Sequence, residues 1–167
     1  MASSQATREQ LWTFHRYFLW ANRHRDDFLA RAVSTGLPPT ELADLRQWVR
    51  ANFINCAPWL GSLYVLVEGW RDLKLSDPEI DQQLRSPHVE SLRRFRNGVF
   101  HFQKKYFDDR FLAMFNEGGP QWAEELHNSF GRYFKAWLGS LGFNVDFTKD
   151  EGGNDIAVVT TTRHPSA

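Results

Sequence analysis

The chain has 167 residues, a length typical of one domain that can bury a core without disulfides or metal ions. Twenty basic and twenty acidic residues cancel to zero formal charge, which excludes binding of nucleic acid or anionic membranes by bulk charge and leaves only local patches. The single cysteine, Cys56, excludes an internal disulfide framework and a multi-cysteine zinc site. Aromatic residues make up 15% of the chain, so either the core is unusually aromatic or aromatic side chains lie in an interface.

Helical patterns begin close to the first residue. Thr7 and Gln10 have the form of a capping box, and apolar residues at steps of three and four predict a helix over 8–33. Thr40 is predicted to cap a second helix, in which Pro58 should cause a kink or a short break.

Prolines mark the starts of the later helices. Asp77-Pro78 and Ser86-Pro87 each place a capping residue before a proline, which predicts a short helix and then a longer one. A short helical piece is predicted at 111–115, and the last helix at Pro120. The predicted buried stripe of that last helix is Trp122, Leu126, Phe130, Tyr133, Trp137 and Leu141.

The character of the sequence changes after Gly142. Alternating and β-branched residues flank a glycine-containing turn, which predicts either a weak two-stranded ribbon or a frayed tail. The predicted fold is an all-α bundle of about four to six helices over 1–143, followed by a short β-hairpin or a flexible tail over 144–167. The opening residues are polar and the longest apolar run is too short to span a bilayer, so we expect a cytoplasmic protein without membrane contact.

One segment, 91–107, differs from the rest of the chain in charge because it contains no acidic residue. Its basic residues are Arg93, Arg94, Arg96, Lys104 and Lys105. Its predicted buried stripe is Leu92, Phe95, Val99, Phe102 and Tyr106. At about 100° per residue, Asn97 and His101 lie nearly opposite this stripe, and Phe100 also points outward. Gly98 in mid-helix indicates either a close approach by another group or a local irregularity.

The segment 96–101 reads RNGVFH and has the form Arg-Asn-x-x-x-His. On a late helix of an all-α bundle, this pattern resembles the signature of the HEPN superfamily, a group of small helical bundles. Many HEPN proteins are metal-independent ribonucleases of toxin–antitoxin, abortive-infection and other defence systems, and they pair two motifs across a homodimer interface. The resemblance covers most of the chain before the C-terminal segment.

The resemblance implies cleavage of RNA by a 2′-hydroxyl, which leaves a 2′,3′-cyclic phosphate and a 5′-hydroxyl. The residue types suit this chemistry. A histidine at position 101 can exchange a proton, and Arg96 offers charged donors to phosphoryl oxygens. Asn97 can hydrogen-bond the substrate or orient the imidazole of His101. On a regular helix Arg96 and His101 are about 140° apart. The length of the arginine or an irregular turn at Gly98 would close part of this gap, and a second copy of the chain, which the resemblance implies, would close it too.

Glu68 lies in the most apolar part of the second helix, where a carboxylate is costly unless it is paired. It either anchors Arg96 or His101 or lies at the rim in an ion pair with another basic residue, and the second arrangement is the commoner one. The predicted RNA-binding residues are Arg93, Arg94, Lys104 and Lys105. The expected partners are a second copy of the chain, RNA and an antitoxin or other regulatory protein. The alternative function is a non-catalytic HEPN-like module that binds a nucleotide, RNA or a partner protein.

Other chemistry-bearing patterns are weak. Glu124 and His127 have the spacing of half a carboxylate-bridged iron site, but the sequence contains no second copy of that pattern. Cys56 is predicted to be a small core residue. No metal ion or cofactor is expected, because the sequence lacks a phosphate-binding loop, a dinucleotide-binding glycine pattern and a nucleophile elbow.

Overall fold

The computed structural model describes residues 6–35, 42–105, 109–149 and 155–161. Within these ranges the chain is an all-α bundle with a short β-ribbon, as predicted, and its described residues fall into two compact units divided after His127. The elements are α1 (Arg8–Thr35), α2 (Leu42–Asp72), α3 (Pro78–Gln83), α4 (His88–Phe100), α5 (Asp109–Leu112), a 3₁₀ turn (Ala113–Phe115), α6 (Gly119–Ser140), β1 (Phe143–Lys149) and β2 (Asp155–Thr161). None of the helices in these ranges combines the length and apolar character that a membrane span requires.

The predicted capping box begins α1. The Thr7 amide donates to Gln10 Oε1 at 2.8 Å, and the Gln10 amide donates to Thr7 Oγ1 at 3.2 Å. These reciprocal bonds satisfy amide groups that the first helical turn leaves without partners. The helix then packs along α2 through a buried face that includes Phe14, Ala21 and Phe28.

The second helix continues through Pro58, so the predicted short break is wrong. A proline inside a helix removes one backbone hydrogen bond and crowds the preceding turn, at a cost of about 3 kcal/mol. Ala57, Trp59 and Leu60 beside it are all buried, and burial of this apolar surface offsets that cost. The predicted cap of α2, Thr40, lies outside the described residues.

The predicted Asp77 cap is confirmed, whereas α4 begins at His88, one residue later than predicted, with Pro87 rather than Ser86 as its N-cap residue. Asp77 Oδ1 accepts hydrogen bonds from the amides of Glu79 at 3.0 Å and Ile80 at 3.1 Å, which begins α3. Ser86 Oγ accepts from the amide of His88 at 3.2 Å, where α4 begins. These local signals fix the starts of the two helices.

The fourth helix ends at Phe100, earlier than its apolar pattern predicts. His101 has an extended backbone with φ −124° and ψ 136°, so the residues after it leave the helical period. Phe102 is consequently 92% exposed, which contradicts its predicted burial, and Val99 is only half-buried. The buried residues of α4 are Val89, Leu92, Phe95 and Gly98. Tyr106, the last member of the predicted stripe, lies outside the described residues.

An aromatic cluster holds the segment after α4 against the bundle. The Phe111 ring in α5 packs edge-on against Phe53, with centroids 4.9 Å apart, and against Phe95 at 5.7 Å. A Cβ on Gly98 would lie 2.6 Å from Phe111 Cε1. Gly98 therefore permits a close approach, the first of the two alternatives that its position indicated.

The buried stripe of α6 is only partly the predicted one. Trp122 and Leu126 are buried in the first unit and Phe130 in the second, as expected. Beyond Phe130 the buried positions are Phe134 and Leu138, whereas Tyr133, Trp137 and Leu141 are half-buried. The stripe keeps steps of four, and the predicted positions departed from it by using a step of three.

The end of the second unit is the predicted two-stranded ribbon. β1 and β2 pair in antiparallel register from Phe143 opposite Thr161 to Lys149 opposite Asp155. The turn between the strands lies outside the described residues.

Candidate functional site

The Arg96 guanidinium lies between α4 and α2. Its Nη2 is 3.7 Å from Glu68 Oε2, and its Nη1 donates to Asn97 Oδ1 at 3.1 Å. Its Cζ is 6.0 Å from the ring centroid of Phe100. The side chain of Arg96 is 30% exposed, so the guanidinium is anchored and still reaches solvent. The structure thus brings three of the predicted site residues together and makes Arg96 the basic partner of Glu68.

Arg96 keeps hydrogen-bonding capacity in this position. The distance to Glu68 is an ion-pair distance and too long for a hydrogen bond. The Nε–H group is shielded from solvent and has no acceptor in the described part of the chain. A buried donor without a partner is uncommon in folded proteins. Since the side chain as a whole is 30% exposed, a further anionic acceptor can reach the exposed part of the planar guanidinium.

Phe100 is fixed beside Arg96 by a glycine of α2. A Cβ on Gly61 would lie 2.7 Å from Phe100 Cε2, so the ring rests on the α2 backbone. The residue nevertheless remains 58% exposed. A glycine inside an apolar helical stretch is a sequence signal of such a close approach.

His101 is the residue at which the chain leaves α4. Its amide donates to the Asn97 carbonyl at 3.1 Å, and its side chain is exposed. Within 42–105 and 109–149, no hydrogen bond or ion pair joins the His101 ring to Arg96, Asn97 or Glu68. The helical geometry assumed for Asn97 and His101 is therefore wrong, since His101 is not helical.

Gln103 holds the chain that follows His101, and the sequence analysis missed it. Its Nε2 donates to the His101 carbonyl at 2.6 Å and to the Asn97 carbonyl at 3.5 Å. Its Oε1 accepts from Arg110 on α5. A glutamine in a predicted amphipathic helix gives no signal of this role, because its partners are set by the tertiary fold.

The predicted RNA-binding residues differ in whether an acidic residue pairs with them. Arg93 donates to both carboxylate oxygens of Glu90, at 2.8 and 2.6 Å. The same bonds lower the pKa of Glu90, since they favour its charged form. Arg94, Lys104 and Lys105 are exposed. Glu90 immediately precedes the acid-free segment, so the sequence analysis overlooked its neutralising effect.

A groove of about 570 Å³ lies between α1 and α2 beside Glu68. Such a volume falls within the range of small-molecule sites. Its lining includes Phe14, Tyr17, Tyr64, Glu68, Arg71 and Asp72. Burial raises the pKa of Tyr64, and the negative charge of Glu68 adds to the rise. Glu68 thus faces both this groove and Arg96.

The half iron-site pattern of α6 is used in structural contacts. His127 Nδ1 accepts from Trp59 Nε1 at 3.2 Å, so the ring proton sits on Nε2, which lies 3.1 Å from Asn22 Oδ1. Burial lowers the pKa of His127 to about 3, and the charge of Arg25 contributes. Glu124 accepts from Arg25 Nε at 3.0 Å. The described residues contain no group of three or more His, Cys, Asp or Glu that could hold a metal ion.

Cys56 is a core residue, as predicted. It is 1% exposed, and its thiol donates to the Phe53 carbonyl at 3.6 Å. Burial raises the pKa of the thiol to about 12, which leaves it protonated and unreactive near neutral pH.

Comparisons with protein-family models, with curated proteins and with solved structures find no match for this chain.

Proposed function

We propose that this protein is an RNA endonuclease of the HEPN type, in which Arg96 and His101 act on one phosphodiester. The observation that carries the proposal is the state of Arg96. Its guanidinium is anchored from two helices and retains unused donors, and an exposed histidine follows at the end of the same helix. In a toxin–antitoxin or other defence system, such an enzyme has an antitoxin or other regulatory protein as a partner.

In the proposed reaction, the phosphoryl group of one RNA linkage moves from the 5′-oxygen to the neighbouring 2′-oxygen. His101 takes the proton of a 2′-hydroxyl, whose oxygen forms a bond to phosphorus as the bond to the 5′-oxygen breaks. The 5′-oxygen takes a proton from water, and His101 returns its own proton to solvent. Arg96 donates to the phosphoryl oxygens, on which negative charge accumulates. Asn97 and Glu68 act as positioning residues, because they hold the guanidinium.

In our proposal, the arginine and the histidine that act on one phosphodiester come from two copies of the chain. No hydrogen bond joins the His101 ring to Arg96 in the described part of the chain, and His101 is exposed. A homodimer that packs across the ends of both α4 helices places His101 of one copy against Arg96 of the other. Exposed Phe100 supplies apolar surface for such packing.

Cleavage should be independent of metal ions, because Arg96 supplies the positive charge at the phosphate. We expect Arg96→Ala and His101→Ala each to reduce cleavage of RNA at least about 100-fold, the lower range for loss of a proton-transfer group. Cleavage by the unchanged protein should persist in excess chelator and leave 2′,3′-cyclic phosphate ends. End-group analysis by mass spectrometry checks the products.

Matched controls are an exposed arginine and a histidine away from the site. Arg85→Ala and His24→Ala should leave the cleavage rate unchanged, because neither residue takes part in the proposed site. A protein that leaves RNA intact, or that cleaves only when magnesium is restored after chelation, would overturn the proposal.

A second candidate is a non-catalytic module that binds a nucleotide in the groove between α1 and α2. The groove has a suitable volume, aromatic side chains for a base and Arg71 for a phosphate. Under this alternative, nucleoside monophosphates bind, Tyr17→Ala weakens their binding, and RNA remains uncut. Calorimetric titration with the four nucleotides separates the two candidates.

A further inference from the structure

Phe102 is held in an unusual environment for a phenylalanine. It is 92% exposed, which leaves almost the whole side chain in contact with solvent. Phe100, two residues earlier, packs its ring against Gly61. Phe102, in contrast, gains almost none of the stabilisation that burial of an apolar ring gives. Such exposure is explained if the ring is covered when the protein acts.

The exposure of Phe102 is built into the fold, because both of its neighbours are pinned. The His101 amide donates to the Asn97 carbonyl at 3.1 Å, and the His101 carbonyl accepts from Gln103 Nε2 at 2.6 Å. Gln103 is in turn held by Arg110 of α5. The backbone on either side of Phe102 is therefore tied to α4 and α5, and the ring is presented to solvent.

The chemistry around Phe102 indicates what covers it. Lys104 and Lys105 follow it and are exposed, and His101 precedes it. An apolar protein partner seated on Phe102 would bury these ammonium groups at a large desolvation cost. An RNA strand does not incur this cost, because its bases stack on aromatic rings while its phosphates meet the cations.

We infer that Phe102 is a stacking platform for one unpaired base beside the phosphodiester whose 2′-hydroxyl His101 deprotonates. The inference rests on the proposed function and adds to it a residue that selects the substrate. A base inside a duplex is already stacked on both faces and cannot cover the ring. Phe102 therefore directs cleavage to unpaired nucleotides and fixes which base lies next to the site.

The test combines substitutions in the protein with substitutions in the RNA. In a His101→Ala background, in which cleavage is slow compared with the measurement, anisotropy measures the affinity for single-stranded oligonucleotides that each carry one abasic position. We expect one abasic position to weaken binding about 10-fold, which corresponds to the stacking of a single base. Phe102→Ala should weaken binding of the intact strand equally and abolish the sensitivity to that position, whereas Phe102→Tyr should retain both.

A matched control is Ile54, an apolar residue of α2 that is 78% exposed. Ile54→Ala should leave affinity and abasic sensitivity unchanged. If the protein cleaves RNA and Phe102→Ala keeps the position-specific sensitivity, the stacking inference is overturned and the nuclease survives. If Phe102→Ala only shifts a dimer toward monomer in sedimentation, Phe102 binds a second copy and the inference is again wrong. If the protein neither binds nor cleaves RNA, both proposals are wrong.

Discussion

His127 illustrates at the residue scale how packing sets the protonation of a buried group. The side chain is 1% exposed, accepts from Trp59 at one ring nitrogen and faces Asn22 at the other. Burial keeps water from solvating the charged ring, and the charge of Arg25 adds to the effect, so the pKa is lowered from 6.5 to about 3. The unfolded chain, in contrast, gains a proton at His127 once the pH falls below 6.5.

We expect the free energy of unfolding to decrease as the pH falls from 6.5 toward about 3, because protons then bind the unfolded state preferentially. The contribution of one such group is at most about 1.4 kcal/mol per pH unit. Urea unfolding of the protein and of His127→Gln, at several pH values in this range, measures it. The variant should lose less stability on acidification.

The free energy of unfolding of the His127→Gln variant should still decrease with falling pH, because burial also lowers the pKa of His15. If the free energy of unfolding had the same pH dependence in both proteins, His127 would not be a buried neutral group.

Residue contacts were predictable only where they are local. The Thr7–Gln10 box and the Asp77 cap follow from residues three positions apart or closer, whose geometry a helix start determines. The Arg25–Glu124 ion pair joins residues 99 positions apart, and no sequence pattern contains it. The sequence offered the Glu68–Arg96 pair as one of two arrangements for Glu68, because both residues were already candidate site residues. Only the packing of α2 on α4 shows which arrangement the protein adopts.

At the scale of elements, Gly98 shows how α4 and α5 approach. The Phe111 ring occupies the space that a side chain at position 98 would need. The ring also contacts Phe53 and Phe95, so it cannot withdraw without disturbing the aromatic cluster. The glycine therefore couples the C-terminal end of α4 to α5.

We expect Gly98→Ala to destabilise the protein by about 1–3 kcal/mol, the usual cost of overpacking. Alanine is the better helix former by about 1 kcal/mol, but its Cβ would lie 2.6 Å from Phe111 Cε1. Gly139 in α6 is the matched control, since a Cβ there meets no heavy atom within 4 Å. Gly139→Ala should stabilise by about 1 kcal/mol in urea unfolding. Stabilisation by both substitutions would refute the close approach of Phe111.

The end of α4 could not be predicted from its own sequence. The apolar period continues to Phe102 and Tyr106, and periodicity is the main sequence signal for a helix. The bonds that hold the next segment run from Gln103 to two backbone carbonyls and to Arg110. These hydrogen bonds form only when α5 has packed against the bundle. The predicted helical conformation of His101 was therefore wrong, because no local sequence signal contains them.

At the scale of the whole molecule, the aromatic side chains are divided between the core and the surface. Some rings are fully buried, namely Trp70, Phe95, Phe130 and Phe134. Others remain exposed, namely Trp12, Tyr17, Trp20, Phe100 and Phe102. An aromatic core therefore explains only part of the composition.

The central claim is that Arg96 of one copy and His101 of another act on the same phosphate. Arg96→Ala and His101→Ala proteins, each inactive alone and carrying different tags, are refolded together, and the doubly tagged dimer is purified. That dimer contains one intact arginine facing one intact histidine, so partial RNA cleavage should return. A mixed dimer that is pure, folded and inactive would contradict the shared site, as would an unchanged protein that cleaves RNA as a monomer.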